Sequence, residues 1–175
     1  MKKKIFSNVE YKIYFLSSSF DEKTKVSTVF VQSKLGIFKG TAKYNPEDEN
    51  TKYIVSKFWG SELAENRAVR AALKEYRKKY KYIVEDYKNF YNQLLNNTRF
   101  DIHSLEAKRI RKKIFLLEKE IDRLNILISC YNSMIDHLSK NPPKESLLRS
   151  SQKIIFNKKE AFKEMSKRFK DLKRI

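Results

Sequence analysis

Polar and apolar residues alternate along the first part of the chain. NVEYKIYF, residues 8–15, sets Val9, Tyr11, Ile13 and Phe15 against Asn8, Glu10, Lys12 and Tyr14, the two-residue period of a half-buried strand. VSTVFVQS, residues 26–33, is rich in β-branched side chains. After Gly36, which supplies the positive φ of a tight hairpin, IFKGTAKY (37–44) turns Phe38, Gly40, Ala42 and Tyr44 to one face and Lys39, Thr41 and Lys43 to the other. These spacings predict a small three-stranded antiparallel sheet. Such a sheet is marginal alone and should pack on a helix.

The period then changes. Within NPEDEN (45–50), Pro46 ends the strand and the acids complement the positive end of a following helix. TKYIVSKFW reads as a short helix interrupted at Gly60, with Ser61 capping a new one. From there Val69, Leu73, Tyr76, Tyr80, Ile83, Tyr87, Phe90 and Leu94 step by four and three. After NNTRFD (96–101), Ala107, Ile110, Ile114, Leu117, Ile121, Leu124, Ile128, Tyr131, Ile135 and Leu138 repeat the pattern. NPP (141–143) stops that helix. A third begins near Lys144 and carries Leu148, Ile155, Phe162, Met165, Phe169 and Leu172 at heptad spacing.

The expected fold is therefore α+β: the sheet, then a long antiparallel heptad helical hairpin with a third helix folded back. Its parts are residues 1–50 (sheet), 51–143 (short helix and hairpin) and 144–175 (a basic helix on the hairpin), joined in one compact unit. The seam aromatics Tyr76, Tyr80, Tyr87 and Phe90 are expected in the core and not as base-stacking rings.

Composition adds a partner to this picture. The chain has 175 residues, enough for a real core, and a formal net charge of +18. A charge that size repels itself in the folded state, so an anionic partner is expected. Lysine outnumbers arginine by about three to one, a bias that an AT-rich genome also produces. One cysteine, Cys130, excludes an internal disulfide, and Glu10 and Lys12 break the apolar run that a secretory leader requires. A cytoplasmic protein is expected, with no membrane partner.

Where the charge falls is more telling. In RAVRAALKEYRKKYK, Arg67, Arg70, Lys74, Arg77 and Lys81 form one stripe at helical spacing, set apart from the apolar seam. The stripe is therefore expected to face outward, with Glu75 the one acid between its ends. Three arginines there suit bidentate contacts to phosphate or carboxylate. Lys108, Arg109, Arg111, Lys112 and Lys113 form a second cluster, and Lys163, Lys167, Arg168, Lys170, Lys173 and Arg174 a third. Antiparallel pairing about NPP would merge the second with the third. Nucleic acid, or a complex that carries it, is the expected partner, without base-specific reading.

Catalytic patterns are missing. The chain has no GxxxxGK[ST], GxSxG, HExxH or CxxC, and no nucleophile–base pair can be named. Cys130, Met134 and His137 share a helical face that could hold a soft cation, but packing accounts for them better. Neither the acids of NPEDEN nor Glu118, Glu120 and Asp122 have the spacing of a cation site. No enzyme activity, cofactor or metal is expected.

One segment resembles a known group. Gly36, Phe38, Gly40 and Ala42, then Pro46, Glu47 and Asp48, then Gly60, then Ala64, Glu65, Arg67 and Ala68 follow a G-x-F-x-G-x-A, P-E-D, A-E-x-R-A order. This is similar to a recurrent domain of small phage and prophage accessory proteins of low-GC Gram-positive bacteria. The resemblance implies a phage-type protein acting in a bacterial host, among which are non-catalytic inhibitors such as anti-CRISPR proteins. It would engage nucleic acid or a host nucleoprotein such as a CRISPR effector. The alternative is a scaffold protein that self-associates, as a homodimer for instance, through its heptads, with charge serving solubility.

Overall fold

A computed structural model describes residues 6–8, 10–43, 53–96 and 101–140. Four strands, β1 (Phe6–Asn8), β2 (Ile13–Asp21), β3 (Val26–Ser33) and β4 (Gly36–Lys43), precede two helices, α1 (Tyr53–Leu95) and α2 (Leu105–Lys140). The sheet is an antiparallel meander in the order β1-β2-β3-β4. The fold is α+β, but the expected count of elements is corrected. The sheet has a fourth short strand, and two helices are found among the described residues instead of three. The segment assigned to a third, folded-back helix (144–175) lies outside the described residues, as do Lys163, Lys167, Arg168, Lys170, Lys173 and Arg174.

The extra strand has a local cause. The apparent strand over 8–15 is broken because the Tyr11 N–H donates to Asn8 Oδ1 at 3.1 Å, and Lys12 takes a φ of 51°. An asparagine side chain offers the backbone a turn that competes with the ladder. Further along, Phe15 pairs with Val31 but Ser17 with Phe30, which leaves Leu16 as a bulge residue. The bulge resets the alternation, so β2 continues through Ser17, Ser18 and Ser19 to Asp21. Asp21 Oδ1 then accepts the N–H groups of Lys23 and Thr24 at the β2–β3 turn. Bonds from the Thr24 side chain and from both N–H groups hold its carboxyl below the usual range.

β3 and β4 follow their alternation as expected. Ser33 pairs with Gly36 across a two-residue turn, and Gly36 has a φ of 132°. Val29, Val31 and Ala42 are buried on the inner face with Gly40, while Lys39, Thr41 and Lys43 are exposed.

α1 is unbroken, against the expected stop at Gly60 and new cap at Ser61. That glycine serves packing instead of interruption, since a Cβ there would lie 2.6 Å from Ser27 Oγ on β3. α2 begins as a capped helix, with the Ala107 N–H donating to Ser104 Oγ at 3.1 Å.

The described residues form two compact units. One comprises those up to Ala72 and from Ser129 onward; the other is Leu73–Ile128. In the first, Ile13, Val29, Val31 and Ala42 of the sheet are buried, as are Leu63, Ala64, Ala68, Val69 and Ala72 of α1 and Tyr131 and Ile135 of α2. Gly60, Ala64, Ala68 and Ala72 recur every four residues, which makes one narrow stripe of small side chains along α1. A Cβ on Gly40 of β4 would overlap the Ala64 carbonyl and lie 2.6 Å from the Ala68 nitrogen. Helix and strand backbones meet there without a side chain between them.

In the second unit, Leu73, Tyr76 and Val84 of α1 are buried, as are Ala107, Ile110, Leu124, Leu127 and Ile128 of α2. Arg77 meets Asn125 and Lys88 meets Glu118, so one helix ascends as the other descends. Of the seam aromatics expected in the core, Tyr76 is buried, Tyr80 and Tyr87 are half-buried, and Phe90 is 47% exposed. Val84 and Leu127 are buried in addition, because the seam widens past its two heptad positions.

Candidate nucleic-acid interface

The basic residues singled out by spacing divide into two kinds. Arg67 donates to the Thr41 carbonyl on β4 (2.6 Å), Arg70 to Asn132 Oδ1 on α2 (2.9 Å), and Arg77 to Asn125 Oδ1 on α2 (3.0 Å). All three are half-buried, which corrects the expectation that this stripe is fully outward. At 100° per residue the stripe is centred about 120° from the seam, on its flank and not opposite it. The first turns of α1 have the sheet on one side and α2 on another, and a long guanidinium at the flank reaches either. Lys74 and Lys81 of the same stripe are exposed, as expected.

These arginine ties do not cancel charge. Each acceptor is a neutral carbonyl or amide, so the guanidinium remains a full cation. Burial, with Arg70 nearby, lowers the pKa of Arg67 from its ordinary value, yet arginine stays protonated in proteins. Carboxylate pairs among the described residues include Lys88–Glu118 at 2.7 Å and Arg123–Glu120 at 3.8 Å.

The second cluster is exposed throughout. Lys108, Arg109, Arg111, Lys112 and Lys113 all lie open on the first turns of α2. Arg111 donates to the Ile102 carbonyl at 3.0 Å and so closes the connector onto the helix. No carboxylate of the described residues pairs with Lys108, Arg109, Lys112 or Lys113. No acid stands between Lys108 and Lys113, and Glu106 lies two residues before them.

Beside this cluster lie residues that spacing did not single out. Leu105, Phe115 and Leu116 are 64%, 54% and 53% exposed. Lys119 Nζ stands 4.6 Å from the centre of the Phe115 ring, within cation–π range. Their signal in the sequence was faint. Phe115 and Leu116 sit between the seam residues Ile114 and Leu117, and a run of four apolar residues does not announce which two face out.

The remaining polar clusters are structural. Tyr131 is buried against Asn8, and burial pushes its hydroxyl up to about 12 despite the hydrogen bond to Asn8. Asn66 donates to the Glu62 carbonyl one turn back. Among the described residues, no group of three or more His, Cys, Asp and Glu side chains stands close enough to hold a metal ion, and no helix is long and apolar enough to cross a membrane. No family model, curated protein or solved structure matches the chain.

Proposed function

We propose that this chain is a non-enzymatic binding protein whose basic helical surface engages nucleic acid, free or carried in a host nucleoprotein. The observation that carries the reading is the exposed cluster Lys108, Arg109, Lys112 and Lys113, which no carboxylate among the described residues offsets. Phosphates are the chemistry that such a surface matches. Each one neutralised releases condensed counterions and makes affinity fall with salt. Lys74 and Lys81 add exposed charge on α1. The arginines of α1 contribute field and hold their elements in place. Within the phage-type setting suggested by residues 36–76, such a protein acts by occupancy, as a counter-defence inhibitor does.

The test is fluorescence anisotropy of labelled DNA and RNA against the full chain at several salt concentrations. Affinity should fall steeply with salt. Reversing Lys108, Lys112 and Lys113 to glutamate should lower the slope of log K against log salt by roughly 0.7–0.9 for each phosphate no longer neutralised. No binding even near 0.05 M salt would sink the reading.

A further inference from the structure

We infer that the outer face of α2, Leu105–Arg123, takes a single strand, with Phe115 as the ring on which a base stacks. This rests on the proposed nucleic-acid reading and names the form of nucleic acid that fits it. At 100° per residue, and with the buried Ile110 and Ile128 marking the inward side, Lys108, Lys112 and Lys119 fall within about 30° of straight outward. Phe115 falls about 40° to one side of that ridge and Leu116 about 60° to the other. Glu106, Glu118 and Glu120 lie about 100° or more away, and Asp122 about 60° away on the side of Phe115. The face is a ridge of lysines with apolar shoulders and one acid, Asp122, near its end.

That radial order separates the candidate partners. A bilayer favours apolar side chains at the centre of a helix face with lysines at its edges, and here the lysines would meet it first. A second copy laid on the same face would set lysine against lysine. A lysine ridge along one phosphate row of a duplex would leave Phe115 with no base to meet, because duplex bases are stacked inside.

A single strand has its phosphates on one flexible line and its unstacked bases free to turn aside. Lys108 and Lys112 are about 6 Å apart along the helix, and Lys112 and Lys119 about 10 Å, which a flexible backbone can follow. Phe115 is more than half exposed, and Lys119 over the ring places a cation beside the path of the phosphates. Aromatic stacking of this kind tolerates any base.

The experiment measures anisotropy of a labelled oligo-dT, and of the duplex it forms with oligo-dA, for the wild type, Phe115→Ala, Phe115→Trp and Lys112→Glu. Phe115 lies outside the core, so its variants are expected to fold, with circular dichroism as the check. The single strand should bind more tightly than the duplex. Phe115→Ala should weaken it by roughly ten-fold with the salt slope unchanged, while Lys112→Glu lowers the slope. Phe115→Trp should restore affinity, and its emission should be quenched by oligo-dT beyond the background from Trp59. Equal affinity for both forms with no effect of Phe115→Ala would overturn this inference and leave the nucleic-acid reading standing. Polyglutamate competing as well as oligo-dT would also overturn it, by showing that charge alone is read. No binding of either form would overturn this inference, and no binding of RNA as well would end both readings and turn the search to an acidic protein surface.

Discussion

Gly40 is where one atom decides the packing of the first unit. Its missing Cβ leaves room for the Ala64 carbonyl and the Ala68 nitrogen, both of them helix backbone and unable to swing aside as a flexible side-chain tip would. Gly40→Ala is expected to lower stability by about 1–3 kcal/mol or more, the range of overpacked cores. Urea denaturation would measure it. An unchanged midpoint would show that strand and helix separate at little cost. Gly36 makes a useful contrast, because nothing lies within 4 Å of its Cβ position and a side chain there would be strained by φ alone.

Among the elements, the two helices of the second unit are joined by unlike bonds. Arg77 donates to a neutral amide, whereas Lys88 meets Glu118 as an exposed ion pair that raises the lysine pKa above its ordinary value. A double-mutant cycle on Arg77 and Asn125 should give a coupling of about 0.5–1.5 kcal/mol that survives 0.5 M salt. The cycle on Lys88 and Glu118 should give a coupling that salt removes. Equal salt sensitivity in the two would mean that Arg77 acts as a charge and not as a tie. At this scale much was legible in advance. The alternation in β3 and β4 and the seams of α1 and α2 follow from the difference between a buried and a wet face, which spacing records directly. The break at Asn8 and the bulge at Leu16 were hidden, because each depends on a local bond or pairing that leaves the average pattern intact. Gly60 misled for another reason, since glycine marks both a broken helix and a close approach. For the candidate interface, the run Lys108, Arg109, Arg111, Lys112 and Lys113 was legible as a charge cluster, and its five members lie exposed. Spacing misplaced Arg67, Arg70 and Arg77, which lie on the flank of the seam and not opposite it, where a long guanidinium reaches a neighbouring element.

At the scale of the whole molecule, the net charge of +18 acts on everything at once. Self-repulsion of that size opposes the compact state, and the Debye length falls from about 30 Å at 0.01 M salt to about 10 Å at 0.1 M. The melting temperature is therefore expected to rise with chloride over that interval. Thermal melts at 0.01, 0.1 and 0.3 M (about one decade and a half) would check it. A flat response would show that the cations are offset at home and have no need of an outside anion.

The bond from Arg67 to the Thr41 carbonyl reaches beyond the single chain. β4 is the last strand of the sheet, and an open strand edge is where copies of a protein add to one another and begin to aggregate. A guanidinium occupies one acceptor of that edge, and Lys39 and Lys43 stand exposed on the same strand. An incoming strand would have to displace the first and approach the others against their charge. The contact that seats α1 on the sheet thereby also stands in the way of a second copy adding at that edge.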